Sequence, residues 1–406
     1  MRDTLIALTL FACTQLGGCR LLGIEPMSCE DDVPSTCPAG LHCVEGLCIE
    51  GHADAGSAFD GGETPSAELL LQDQPGVMLM TQRDDGALFW ATSGGGGCIR
   101  RLLETEVEDV FCEEGTREIA GLALANGRVF WLSHDPDDTS AGALRALVDT
   151  APRGGETSPV TLDQNLSLRS LEQGGPSLLS ARHDSTSGQV AVAYVADVTV
   201  SSPVRRLLLT GDTINSTVNY RGLGTGRSPA AIALTADDLF FVEDDPETYA
   251  SLQCRNDHAE DVDGMYDMTL DEGTYAGRPE GQGWAAATFD GRVWVSTRDG
   301  ASGGGILHSN GGRDGAWLRV ELVQLLADPG DSLKYASGLG IDDNFIYYVT
   351  AGGGDATAKL FKLSLSGEAS PEPLLELDAA GGALLLTETH VLWSEPSSGK
   401  IMQLAR

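Results

Sequence analysis

Positive charge is scarce in this sequence. Its 406 residues hold 26 Lys and Arg against 60 Asp and Glu, a formal net charge of −34. Such a field repels phosphate and no basic cluster opposes it, so nucleic acid is excluded as a partner. Long apolar runs are missing too: Leu5 to Ala12, "LIALTLFA", is too short to cross a bilayer as a helix. Catalytic signatures are also absent, with no G-x-S-x-G nucleophile elbow, no Walker sequence and no H-E-x-x-H. "GLGTGR" at 222–227 lacks the βαβ surroundings of a dinucleotide fingerprint and reads as a glycine turn. The 7 histidines are scattered and read as surface or core residues. No C-x-x-C pair occurs among the 9 cysteines, which argues against zinc.

The short apolar run instead has the length of a signal-peptide core. It leads to Leu16-Gly17-Gly18-Cys19, which resembles a bacterial lipobox. Residues 1–18 are therefore read as a lipoprotein signal peptide, and Cys19 as the lipidated first residue of the mature chain. A plain secretory signal is the alternative. With Cys19 lipidated, 7 cysteines remain beyond the signal and one is unpaired, whereas a free Cys19 makes the number even.

Residues 29–48, "CEDDVPSTCPAGLHCVEGLC", pack Cys29, Cys37, Cys43 and Cys48 among Pro, Gly and acidic residues. A piece with so little apolar material needs covalent staples. Two disulfides are expected, with three connectivities open. Between Cys98 and Cys112, "IRRLLETEVEDVF" reads as two short strands about a turn near Thr105. That hairpin sets position 98 opposite 112, where a cross-strand disulfide fits. Cys254 is left over and reads as a buried thiol. The stretch "IEGHADAGSAFDGGETPS" from Ile49 is rich in Gly, Ala, Ser and acidic residues, as flexible linkers are. The expected organisation is a signal peptide at 1–18, a Cys-rich module at 19–50, a linker at 51–66 and one large domain at 67–406.

That domain reads as all-β and repetitive. Its clearest unit is "GLALANGRVFWLS" at 121–133: an alternating apolar strand, a turn at Asn126-Gly127, then a strand with paired aromatics. The unit recurs as "AIALTADDLFFVE" at 231–243, "AAATFDGRVWVST" at 285–297, "GLGIDDNFIYYVT" at 338–350 and "ALLLTETHVLWSE" at 383–395. Weaker copies begin at Met78 and Leu178. One aromatic per copy, Trp90, Trp131, Tyr194, Phe241, Trp294, Tyr348 and Trp393, gives intervals of 41, 63, 47, 53, 54 and 45 residues. Those are lengths of four-stranded propeller blades. The reading is a β-propeller of seven four-stranded blades, or six if the copy near 178–210 is an elaboration. The last copy has room for three strands, and "AELLLQDQ" at 67–74 is a stray strand that closes the ring if it supplies the fourth.

The unit "HVLWSEPSSGKIMQL" at 390–404 resembles the repeat of YWTD and NHL-like propellers. It is still more similar to secreted propellers of deltaproteobacteria with units of the form L-A-V-D-x-x-x-V-Y-W. Residues Cys37 to Cys48 resemble small C-P-x-G-x-x-C-x-x-G-x-C modules that follow the lipid anchor in surface proteins of myxobacteria. The resemblance implies a propeller at the cell envelope, as an outer-membrane lipoprotein or otherwise periplasmic or secreted. Ser394 and Glu395 stand where that family has Thr-Asp, so no binding residue carries over.

Acidic loops supply the candidate sites. In a propeller, the loops between second and third strands share one face with the links to the next blade. Here they include Asp135, Asp137 and Asp138 in "SHDPDDTS" and Glu243, Asp244 and Asp245 in "EDDPET". A cationic ligand or calcium would suit that face. Asp257, Asp261, Asp263 and Asp267 in "RNDHAEDVDGMYD" form a second calcium candidate. The segment fails the EF-hand template at Ala259 and Leu270, and a solvated acidic loop is the alternative.

Three functions remain. The leading one is a non-catalytic, lipid-anchored monomer whose loop face binds an envelope or extracellular protein, peptide or glycan. A lyase or hydrolase is the second, to be favoured by two buried carboxylates, or a His beside a carboxylate, near the channel. A structural part of an envelope assembly is the third, to be favoured by a broad apolar patch.

Overall fold

The structure, a computed structural model, describes residues 41–44, 47–50 and 66–406, except 93–95, 139, 149–157, 169–177, 197–203, 221–227, 235–237, 245–250, 257–281, 290–291, 299–304, 311–312, 315–316, 319–320, 328–335, 351–356 and 366–370. The chain divides into two units, Met1–Thr64 and Pro65–Arg406. In the first, Leu41–Val44 pairs antiparallel with Leu47–Glu50, which sets Cys43 opposite Cys48. Cys19, Cys29 and Cys37 lie outside the described residues.

The second unit is built from antiparallel sheets, and no α-helix occurs among the described residues. Sheet I comprises Val77–Gln82, Leu88–Thr92, Cys98–Leu103 and Glu106–Cys112. Sheet II comprises Glu118–Ala125, Arg128–His134, Gly142–Val148 and Val160–Leu166. Sheet III, Leu179–Asp184, Gln189–Val195, Val204–Thr210 and Thr213–Tyr220, is complete where the sequence repeat is weak. Sheet IV has three described strands, Ser228–Leu234, Asp238–Asp244 and Ser251–Asn256. Sheet V comprises Gln282–Phe289, Arg292–Arg298, Gly305–Asn310 and Glu321–Ala327, with a small finger at Arg313–Asp314 and Trp317–Leu318. Sheet VI comprises Ala336–Ile341, Phe345–Thr350, Lys359–Ser364 and Glu372–Glu376.

Sheet VII closes the ring. Its first three strands, Leu384–Leu386, His390–Glu395 and Lys400–Ala405, are joined by Glu68–Leu71 from the other end of the domain. The first strands of successive sheets touch in order, and that of sheet VII touches that of sheet I. This is the architecture of a β-propeller, with first strands innermost and no long edge left open at the seam.

Local chemistry explains the repeated unit. Asn126 and Gly127 both take positive φ, 49° and 68°, as a two-residue hairpin turn of type I′ requires. Gly121 lies where the inner strands of sheets II and III approach: a Cβ there would come within 2.6 Å of the Leu179 Cβ. Side chains on the second strands alternate between neighbouring sheets. Trp90, Trp131, Tyr348 and Trp393, all at 0% exposure, pack against the sheet before their own.

Trp294 departs from that phase. It packs with Leu339 and Ile346 of the following sheet. The reason is the bulge in the inner strand: Ala285, the first residue after it, pairs with Ser296, whereas in sheet II the equivalent Gly121 pairs with Leu132. Val295 therefore takes the register of Trp131, and counting aromatics misplaces the repeat by one residue. The side chain of Phe241 lies outside the described residues.

Sheets I to III share a polar latch across their boundaries. In each, an Arg on the third strand stands opposite the aromatic of the second: Arg100 with Trp90, Arg145 with Trp131, Arg205 with Tyr194. Both converge on one acceptor from the preceding sheet or its exit. Trp90 Nε1 and Arg100 Nη1 donate to Gln74 Oε1 at 3.1 and 2.8 Å. Trp131 Nε1 donates to Glu113 Oε1 at 2.6 Å, and Arg145 Nη1 to Glu113 Oε2 at 2.8 Å. The Tyr194 hydroxyl and Arg205 Nη1 both donate to Asp163. Burial, then the Asp163 carboxylate, push the Tyr194 hydroxyl far above its ordinary pKa, so it stays a donor. In sheets VI and VII the residue opposite the aromatic is Phe361 or Met402, and Tyr348 stacks on Phe361 with centroids 5.0 Å apart.

The expected disulfide is present. Cys98 and Cys112 are register partners on the outer two strands of sheet I, bonded with Cα atoms 4.1 Å apart across a separation of 14 residues. Closing a loop of that length contributes ~3 kcal/mol.

Candidate functional site

The loop face carries the links between sheets and the loops between second and third strands. Sheet II contributes the loop after His134 and the link Glu113–Arg117 that enters its inner strand. Asp135, Asp137 and Asp138 all sit in that loop, as the sequence suggests. Two of the three are engaged in bracing it. Asp135 accepts from the Thr116 hydroxyl at 3.3 Å and from the Asp137 amide at 3.0 Å. Asp138 accepts from the Ser140 hydroxyl at 2.6 Å and its amide at 3.1 Å, which hold its carboxyl below the usual range. Asp137 is left exposed, with its carboxylate unpaired among the described residues.

Backbone register places Glu243 and Asp244 at the loop-face end of the second strand of sheet IV, opposite Pro229 and Ser228. Their side chains, all of Asp245, and the calcium candidates Asp257, Asp261, Asp263 and Asp267 lie outside the described residues. Among the described residues, the one grouping with metal-ligand spacing is Cys98, Asp109 and Cys112. Its two sulfurs are spent on each other as a disulfide.

The sequence reading passes over the residue that stands out here. His134 ends the second strand of sheet II with 0% exposure, opposite Glu118, the first residue of the inner strand. Glu118 therefore stands at the loop-face rim of the channel. His134 Nε2 is 3.7 Å from Glu118 Oε2, beyond hydrogen-bond length, and neither ring nitrogen makes a well-formed hydrogen bond among the described residues, though the ring lies against the Asp135 backbone. Ser133 Oγ and Arg117 Nη1, close to it along the chain, are likewise buried with no hydrogen-bond partner among the described residues. Arg117 is pinned by its carbonyl, which accepts from the Gly97 amide at 2.7 Å. Buried polar atoms are normally paired, so these atoms make the loop-face end of sheet II the candidate polar site. The only sequence signal is an ionisable residue where an aromatic strand meets an acidic loop.

Burial pushes the His134 imidazole below its ordinary pKa, and the Asp135 backbone and the charges of Glu118 and Asp135 oppose this only in part. The folded state therefore favours neutral His134, and the unfolded chain binds the extra proton. Its contribution to stability is complete above the unfolded value of 6.5 and erodes as pH falls below it. Melting temperature should thus fall faster between pH 7 and 5 in the native chain than in His134→Phe. Parallel curves would show that the imidazole is hydrated.

No family model and no curated protein matches the sequence. In fold, the chain is similar to virginiamycin B lyase from Staphylococcus aureus, with a TM-score of 0.53 and 12% identity over 84% of this chain and 98% of that one. It is similar to the β-propeller domain of Myceliophteria thermophila Cps50 (Swd1) at 0.53 and 11%, over 84% and 100%. The WD40 propeller domain of Doa1 gives 0.51 and 11%, over 84% and 97%. The likeness is one of fold. A propeller hosts enzymes and binding domains alike, so function is argued from the site.

Proposed function

We propose that the protein is an exported binding propeller, anchored by lipid at Cys19 and engaging an envelope or extracellular peptide, protein or glycan through its loop face. Export is supported by the Cys98–Cys112 disulfide, which belongs to an oxidising compartment. Binding is carried by the buried, unpaired rim atoms of Arg117, Ser133 and His134. Lying at the same end of sheet II, they include both donors and an acceptor, which suits hydroxyl or amide groups rather than an apolar surface. Among the described residues, exposed large apolar residues such as Leu103, Val148 and Ile214 lie on different sheets and make no broad patch, which lends the assembly-component reading no support there.

The test has two parts. Expressed in a bacterial host with an envelope, the full chain should partition with membranes and Cys19→Ala should release it; a soluble, unacylated native chain overturns the anchor. Calorimetry with oligosaccharides and short peptides should find a ligand whose affinity drops at least about tenfold in His134→Ala with the fold intact. A ligand that binds both forms equally rules out the rim.

One observation favours a second reading. A buried His 3.7 Å from the carboxylate of Glu118, which stands at the channel rim, is a pairing from which a general base could be built, as a lyase or hydrolase needs. Turnover of a polyuronide or ester that His134→Ala abolishes would replace binding by catalysis.

A further inference from the structure

We infer that the seam between sheets VII and I holds a second binding site, for a peptide segment that pairs an apolar side chain with a neighbouring Lys or Arg. A cavity of about 740 Å³ opens there, in the size range of small-ligand and short-peptide sites. It lies between the turn after Gln82 in sheet I and the turn Thr387–Thr389 in sheet VII. These turns join first to second strands, so the cleft opens on the face opposite the loop face and is independent of the function proposed there.

Its floor is apolar. Leu88 and Leu392 are buried in the cluster beneath the seam, and Leu70, Leu102 and Leu385 line the walls as partly buried members of it. The strand that closes the ring, Glu68–Leu71, is only four residues long, and its Leu70 lines the cleft.

Its mouth is negative. Arg83 is the one cation in the lining, and it is held by Asp85 through two bonds of 2.7 and 2.5 Å. Arg406, which donates to the Thr387 carbonyl, is paired with Asp342. Asp84 and Glu388 are exposed on opposite lips and have no ion-pair partner among the described residues. An apolar floor under two uncompensated carboxylates complements a leucine-sized side chain beside a positive charge. A wholly apolar ligand would leave the charge of the lips unmatched, and an acidic one would be repelled.

The probe is a fluorescein-labelled, N-acetylated Lys-Leu-Leu-Lys amide, followed by anisotropy with the full-length protein. Saturable binding is expected that weakens with salt, as contacts to exposed carboxylates do. A Glu-Leu-Leu-Glu analogue should not bind. Asp84→Lys with Glu388→Lys, both at exposed positions, should weaken binding by about tenfold without altering the circular dichroism spectrum. Thr81→Phe, which fills the cavity from its wall, should abolish it. His134→Ala should leave it unchanged, so failure at the seam and failure at the loop face are told apart. No binding at millimolar probe, equal binding of the acidic analogue, or indifference to the double charge reversal each overturns the seam site.

Discussion

Replacing Glu113 with alanine is expected to destabilise the propeller by ~3–5 kcal/mol, the cost of removing one partner from a buried ion pair. Glu113 is 5% exposed and joins the exit of sheet I to two side chains of sheet II. Without it, Trp131 Nε1 loses its acceptor at a position of 0% exposure, and Arg145 keeps its charge with its carboxylate gone. The indole loss occurs where water cannot substitute, while the half-buried Arg145 regains only part of its solvation. Glu113→Gln should cost less, because its amide oxygen can still accept from Trp131 while the pairing with Arg145 is weakened. Trp131→Phe should cost less again, since the Glu113–Arg145 pair survives and most of the ring's packing against Phe111 is kept. Urea denaturation of the three variants, with the Glu113→Ala/Trp131→Phe double mutant, measures the coupling directly. If Glu113→Ala shifts stability by no more than an exposed control such as Asp137→Ala, the latch contributes nothing and apolar packing alone joins the sheets.

How much of this was legible in the sequence depends on whether an interaction repeats along the chain. The alternating strand, the Asn126-Gly127 turn and the paired aromatics recur at blade-length intervals, so the all-β ring could be read from period alone. Cys98 and Cys112 flank one turn, and symmetry about Glu104 and Thr105 placed them opposite each other. The stray strand before the first repeat and the missing strand in the last one matched each other as the closure that Glu68–Leu71 makes. What could not be read is what depends on packing between sheets. Glu113 lies 32 residues from Arg145 and in a different sheet, and no spacing rule joins them. Trp294 looks like its counterparts in sequence, yet a bulge position sets which neighbour it meets. His134 is an unremarkable letter beside an acidic loop until the sheets close over it. The acidic loop itself was legible, but not that Asp135 and Asp138 are engaged in holding its shape.

Removing the closing strand should have the larger effect still. A chain whose mature part begins at Asp73 loses the pairing of Glu68–Leu71 with Lys400–Ala405 and the packing of Leu70 and Leu71 against the seam cluster. Leu70 and Leu71 are partly buried, so each contributes less than the ~1.5–3 kcal/mol of a fully buried leucine, and the lost strand also bares the edge of Lys400–Ala405 to pairing with other chains. Two contacts survive the cut: the Gln74 amide still reaches the Gly399 carbonyl at 2.8 Å, and the Gly76 amide the Pro396 carbonyl at 3.0 Å. The shortened chain should therefore fold partly, melt well below the native one, and self-associate. A synthetic peptide of residues 66–73 added in trans should raise the melting temperature and suppress association, by supplying the strand whose backbone bonds are missing. Leu70 is also a wall of the seam cleft, so the shortened chain should lose the basic peptide probe while its loop-face ligand is retained. A shortened chain that stays monomeric with an unchanged melting temperature would show that contact between sheets VII and I closes the ring without the strand.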